Sequence, residues 1–120
     1  MSKTVLTVDD SSSIRQMVAF TLRGAGYTVV EAKDGQDAIA RLDANVRLVL
    51  SDLNMPNMNG IELLRWIRAD AAHKYLPVVV LTTESQEAKK QEARSAGATG
   101  WIVKPFRPDQ LLAVVKRVLG

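Results

Sequence analysis

The chain has 120 residues, 47% apolar and 24% charged, which suits one globular domain with a single core and excludes wholesale disorder. No apolar run approaches the ~20 residues needed to cross a bilayer, the Met-Ser-Lys start leads straight into a strand with no signal-peptide region, and zero cysteines exclude disulfides and thiolate sites; the expected compartment is the cytoplasm. The net charge is +3, but acids are interleaved with the bases (Glu62 and Asp70 near Arg65 and Arg68, Glu87 and Glu92 near Lys89 and Lys90), so no nucleic-acid partner is expected and no membrane partner either.

Short apolar runs alternate with amphipathic segments five times along the chain, the pattern of an open parallel α/β sheet. The first strand is expected over Thr4–Val8. A helix follows from about Ser12, a good N-cap candidate, to the Gly24-Ala25-Gly26 stop, with Ile14, Met17, Val18 and Leu22 on its buried face. Strand two is Thr28–Ala32, and after the Asp34-Gly35 turn a short helix covers about Asp37–Leu42. Strand three, Arg47–Ser51, opens into a loop over Asn54–Gly60. The third helix turns Ile61, Leu64 and Ile67 inward, with Trp66 in a structural role, and His73 falls in a polar loop as a solvent residue.

Pro77 precedes strand four, Val78–Leu81, whose β-branched residues suit burial on both faces. The fourth helix, about Ser85–Ala96, is unusually polar and has few apolar anchors, which suits a mobile element. Strand five is Gly100–Val103. The last helix starts after Pro108 and buries Leu111, Leu112, Val115 and Val118 or Leu119. No repeat or linker divides the chain, so residues 1–120 are expected to form one domain without an attached effector domain.

Parallel strands present functional residues at their carboxyl ends. Asp9-Asp10, Asp52, Thr82 and Lys104-Pro105 each follow an apolar run, so all should meet on one rim. Right-handed crossovers in a doubly wound sheet set strands one and three side by side, bringing Asp9 and Asp10 beside Asp52. Three such carboxylates repel one another unless a cation is present, and oxygen donors suit a hard ion such as Mg²⁺. Asp52 is the natural nucleophile for phosphorus, Lys104 offers a point charge for phosphoryl oxygens, and the Thr82 hydroxyl can donate to one of them. Taken singly, the Asp-Asp pair is most often a helix cap or turn, Thr82 a strand-end turn residue, Lys104 a surface lysine and Pro105 a strand terminator. The coincidence of four strand ends, in order and in side-chain type, is what gives the phosphoryl-transfer reading its specificity.

The stretches Val8-Asp9-Asp10-Ser11, Leu50-Ser51-Asp52-Leu53-Asn54-Met55-Pro56, Leu81-Thr82-Thr83 and Val103-Lys104-Pro105-Phe106 closely resemble the receiver domain of two-component response regulators. The resemblance runs over essentially the whole chain and within the family is to the stand-alone chemotaxis regulators, the CheY type. It implies the flavodoxin-like strand order 2-1-3-4-5 with five helices. It implies that Asp52 takes a phosphoryl group from a chemotaxis-type histidine kinase. Asp10 and Asp52 would bind Mg²⁺ directly together with the backbone carbonyl of Asn54, and Asp9 would act through water. Thr82 and Lys104 would engage the phosphoryl oxygens, the Lys104-Pro105 bond would be cis, and Trp101 would be the strand-five aromatic that swings when Thr82 moves. Trp101 stands where the family usually has Tyr or Phe, and as a single residue it reads also as a core or groove aromatic. Asn54 and Glu84 match side chains of chemotaxis regulators and imply a fast-decaying signal, while Thr83, larger than the Ala or Gly common there, would crowd the approach of phosphodonors.

The implied output is the face of helix four, strand five and helix five acting as a monomer on the flagellar motor switch protein, with self-phosphoryl transfer and slow self-dephosphorylation in place of enzymatic turnover. A phosphate sink, or a single-domain regulator of a non-motility pathway, uses the same receiver differently. An aspartate-nucleophile phosphatase of the haloacid dehalogenase type is a further alternative, but it wants a carboxylate two residues after the nucleophile, where this chain has Asn54.

Overall fold

The computed structural model describes residues 3–83 and 85–119; Glu84, expected to tune phosphoryl lifetime, lies outside the described residues. Strands and helices alternate throughout: β1 (Thr4–Val8), α1 (Ser12–Gly24), β2 (Thr28–Ala32), α2 (Gly35–Arg41), β3 (Val46–Asp52), α3 (Gly60–Ala69), β4 (Val78–Thr83), α4 (Glu87–Ser95), β5 (Gly100–Lys104) and α5 (Pro108–Leu119). The strands form one parallel sheet in the order β2-β1-β3-β4-β5. The expected doubly wound α/β fold and its strand order are observed.

Alternation along the strands divides the core into two layers. Leu6, Val8, Val49, Val78 and Val80 project to one face, where they meet Ala38 of α2, Ile61, Leu64 and Ile67 of α3, and Ala93 of α4. Val5, Leu48, Leu50, Val79 and Leu81 project to the other, against Val18 and Leu22 of α1 and Leu111 and Val115 of α5. Because the sheet is buried on both faces, β3 and β4 read as nearly unbroken apolar runs. β4 is fully buried from Val78 to Leu81.

Local caps account for most shifts from the expected boundaries. The N-cap of α1 is Ser11, not Ser12, because the Ser11 hydroxyl accepts from the Ile14 N–H. α2 begins earlier than expected because the Asp34 carboxylate caps the Asp37 N–H at 2.8 Å. At α3, Asn59 and Glu62 exchange a capping box at 2.9 and 3.0 Å, fixing the helix directly after the functional loop. α4 has no side-chain cap and buries only Ala93, and it is shorter than its polar sequence suggested.

Three expectations about side chains are corrected. Met17 is 37% exposed, and Ala19 takes the buried position on α1. Leu112, Val118 and Leu119 of α5 are only half-buried, packed against the layer that Leu111 and Val115 complete. His73 is not a free solvent residue: its Nδ1 lies 2.6 Å from the Asp70 carboxylate, on the turn where the chain leaves α3.

Candidate functional site

β3, β4 and β5 each run to the functional residue itself: Asp52, Thr83 and Lys104 are their last residues. The ladder therefore holds these positions by main-chain hydrogen bonds, with Asp52 paired to Leu81, Thr82 to Val103 and Thr83 to Lys104. Asp9 follows β1 directly, and its N–H donates to the Ala32 carbonyl at 3.1 Å.

Asp9 is 1% exposed and Asp52 8%. One carboxylate oxygen each of Asp9, Asp10 and Asp52 lies within 4.8 Å of the others. Asp10 is exposed, on the solvent side of the cluster. The Lys104 ammonium sits 3.3 Å from Asp9 Oδ2 and 3.3 Å from Asp52 Oδ1, so one cation serves two acids. The Leu53 N–H donates to Asp52 Oδ1 at 2.8 Å, and the Ser11 N–H donates to Asp9 Oδ1 at 2.9 Å. Burial pushes the Asp52 carboxyl above the ordinary aspartate range. The Lys104 charge pulls it back, the Asp9 charge pushes it up again, and a hydrogen bond from the Asn54 main chain lowers it.

The site is thus a rim of partly desolvated oxygens carrying more negative than positive charge, a hard donor set of the kind that suits a divalent cation. Thr82 is 1% exposed. Its hydroxyl donates to the Thr83 carbonyl at 3.2 Å and to Gln86 Oε1 at 3.4 Å, and so faces the turn into α4. The Lys104–Pro105 peptide is cis. Thr83 is half-buried, bonded through its hydroxyl to Ser85 at 2.9 Å, and lines an apolar groove of about 320 Å³ with Ile14, Met17, Lys104, Pro105 and Phe106. Trp101 lies on β5 beside Val80, half-buried, with Lys90 Nζ 4.4 Å and the Arg94 guanidinium carbon 5.9 Å from its ring centroid. Cation–π contact of this kind holds the indole against α4.

The structure brings together Asp9, Asp10, Asp52, Lys104 and the Asn54 main chain, with Thr82 one strand away and Trp101 back near the start of β5. It also adds residues that sequence reasoning missed. Arg15 Nη1 donates to the Asp9 carbonyl at 2.7 Å while its Nε lies 3.5 Å from Glu31 on β2, tying the first acid to the sheet edge. Gln86 holds the Thr83 N–H at 2.8 Å as well as the Thr82 hydroxyl. Gly60 packs on the Asp52 carbonyl so closely that a Cβ built on it would lie 2.2 Å from that oxygen. Only Gly60 had a local signal, as the glycine closing the loop; Arg15 and Gln86 act through tertiary contacts.

A carboxylate cluster sharing one lysine, at the carboxyl rim of a doubly wound sheet, points to a signalling receiver. The response regulator receiver domain family matches residues 5–116, and the chain belongs to that family. It is similar to the chemotaxis protein CheY1 of Helicobacter pylori, with 41% identity over 119 residues covering 97% of this chain and 96% of that protein. A chemotaxis protein CheY homolog of Campylobacter jejuni is 40% identical, over 97% of this chain and 92% of its own length. Among solved structures, the chemotaxis protein CheY4 of Vibrio cholerae superposes with a TM-score of 0.93 at 48% identity, covering 99% of this chain and 100% of that one. No helix among the described residues is long and apolar enough to cross a membrane.

Proposed function

We propose that the chain is the phosphorylatable switch of a chemotaxis two-component system, with Asp52 as the phosphoacceptor. The observation that carries this reading is the Lys104 ammonium shared at 3.3 Å between Asp9 and Asp52. It gives the rim a fixed charge beside the nucleophile that can pass from carboxylate to phosphoryl oxygen. In the transfer, an Asp52 oxygen attacks the phosphorus of a phosphohistidine on the kinase. The new bond is an acyl phosphate O–P, the P–N bond breaks, and the departing imidazole keeps its electron pair and takes up a proton.

The donor set fits Mg²⁺: oxygens only, clustered within 4.8 Å, with two buried acids, one exposed acid and a net negative charge left after Lys104. Asp9, Asp10, Asp52 and the Asn54 main-chain carbonyl would hold the ion. When bound, it supplies positive charge that offsets the anionic oxygens of the acceptor and the donor. Phosphorylation is stoichiometric, so the protein serves as a reporter and does not turn over a substrate.

Readout follows from the strand register. A phosphoryl group on Asp52 offers the Thr82 hydroxyl a charged acceptor in place of the 3.4 Å contact to Gln86. Movement of Thr82 and the turn into α4 then alters the packing around Trp101 and its two cations on the α4–β5–α5 face. The kinase is of the chemotaxis type and the output is the flagellar motor switch protein; the similarity to chemotaxis proteins of three bacteria supports this assignment.

The test is tryptophan fluorescence during titration with an N-terminal peptide of the motor switch protein, with and without beryllofluoride and Mg²⁺. Tight binding only with both present is the expected result. If beryllofluoride changes the fluorescence but the peptide never binds, the switch stands and the motor assignment fails, leaving a phosphate sink or another partner. If neither ligand changes anything, Asp52 is not the acceptor.

A further inference from the structure

The first turn of α4 reaches the loop that follows β3. Lys89 Nζ donates to Asn54 Oδ1 at 2.7 Å, bridging α4 to the loop two residues beyond Asp52. Asn54 is exposed, so this contact lies at the open side of the cluster. The amide oxygen is a dipole without charge, and among the described residues Lys89 forms no ion pair. Its helix neighbours are engaged elsewhere: Glu87 with Gln91, Glu92 with Arg65, and Lys90 and Arg94 with Trp101. Lys104, by contrast, is already committed to two carboxylates. Among the described residues, this side of the site therefore carries an ammonium that is held in place by a neutral amide and belongs to no ion pair.

We propose that Lys89 is a donor-selecting and positioning residue for phosphoryl transfer: anchored on Asn54, it draws anionic phosphodonors to Asp52 and opposes divalent-cation binding in the same site. The inference rests on Asp52 being the acceptor. Its content lies in two effects of opposite sign from one charge. In water-like surroundings a unit charge at about 6 Å is worth roughly a threefold effect per unit of charge it faces. Removing Lys89 should therefore slow a dianionic donor about three- to tenfold and a monoanionic donor about threefold or less. Divalent-cation affinity should tighten by a comparable factor. Exposed charges are screened, so the loading effect should be largest near ~0.01 M ionic strength and almost gone at ~1 M.

The experiment uses the full chain and its variants Lys89→Gln and Lys89→Arg, with Lys74→Gln as a remote variant that makes the same charge change. Initial loading rates at saturating Mg²⁺ are compared for acetyl phosphate, a dianion, and phosphoramidate, a monoanion, at low and high ionic strength. Mg²⁺ affinity without donor is measured separately by calorimetry. The expected pattern is slower acetyl phosphate loading and tighter Mg²⁺ binding for Lys89→Gln, both reversed in Lys89→Arg and absent in Lys74→Gln. A variant that merely loosened α4 would weaken both activities at every salt concentration, and that outcome overturns the inference. Equal loading by Lys89→Gln and the parent at low salt overturns it too. If the parent takes no phosphoryl group from either donor, and Asp52→Asn behaves the same, the acceptor reading fails and the inference falls with it.

Discussion

Gly60 is the residue whose replacement tests the site most directly. It opens α3, is buried, and donates its N–H to the Leu53 carbonyl at 3.0 Å. The Cβ of an alanine there would stand 2.2 Å from the Asp52 carbonyl oxygen, 2.9 Å from the Leu53 Cα and 3.1 Å from the Asp52 carbonyl carbon. All three neighbours are main-chain atoms, so no rotamer can relieve the clash and the helix must lift by about 1 Å from the end of β3. Overpacking of this kind costs about 2 to 3 kcal/mol. With a urea slope of about 2 kcal/mol per M, the unfolding midpoint of Gly60→Ala should fall by about 1 to 1.5 M.

The same displacement bears on Asp52, and misplacing a reacting group by 1 Å costs up to about a hundredfold in rate. Acetyl phosphate loading, followed by phosphoprotein formation, should drop by at least an order of magnitude in the folded variant at low denaturant. Gly24→Ala, at the end of α1 with nothing within 4 Å of a new Cβ, should be neutral or gain up to about 1 kcal/mol from helix propensity. A Gly60→Ala protein whose midpoint stays within about 0.2 M of the parent and which loads normally would refute the steric reasoning.

Three further outcomes are expected. Because burial raises the Asp52 pKa, its folded state favours the protonated carboxyl; metal-free stability from this group is full below the unfolded pKa and is lost as pH rises through the folded one. Asp52→Asn should thus be more stable than the parent in chelator at neutral pH, with the gap closing on acidification, and a gap that widens toward low pH would contradict the assignment. Arg68 donates to the Gly97 carbonyl twice, at 3.0 and 2.8 Å, and to the Leu76 carbonyl at 2.7 Å, stapling α3 to two loops. Arg68→Ala should cost about 2 kcal/mol, read as a melting temperature lower by about 5 to 10 °C, and an unchanged melt would show the staple to be idle. Thr83→Ala should load small phosphodonors faster than the parent, since Thr83 narrows the groove beside Lys104; equal rates would remove Thr83 from donor access.

The parts of the fold that the sequence revealed are those governed by short-range rules. Val78–Leu81 is apolar at every position because that strand has no wet face, and Asp52 and Lys104 stand out because each interrupts such a run at its carboxyl end. Boundaries slipped where a cap decides them: Ser11 and Ser12 are chemically alike, and only the backbone geometry selects Ser11. Met17 keeps helical spacing with Ile14 and Val18, yet it lines the open groove beside Lys104, Pro105 and Phe106 and stays partly exposed. His73 looked like loop filler because its partner, Asp70, belongs to the end of α3. The contacts of Lys89 with Asn54 and of Arg15 with Asp9 join segments whose closeness is a product of the finished sheet, and no local pattern encodes them.

The sharing of Lys104 between Asp9 and Asp52 also bears on how the protein is made. The two acids sit just after β1 and at the end of β3, in the first half of the chain, whereas their cation lies 95 residues after Asp9 on an edge strand that pairs only with β4. At about 5 to 20 residues per second, synthesis delivers both acids several seconds before the lysine that compensates them. Docking of that edge strand is favoured twice, by its own pairing and by the charge it delivers. Completion of the fold and delivery of the site's cation are then one event.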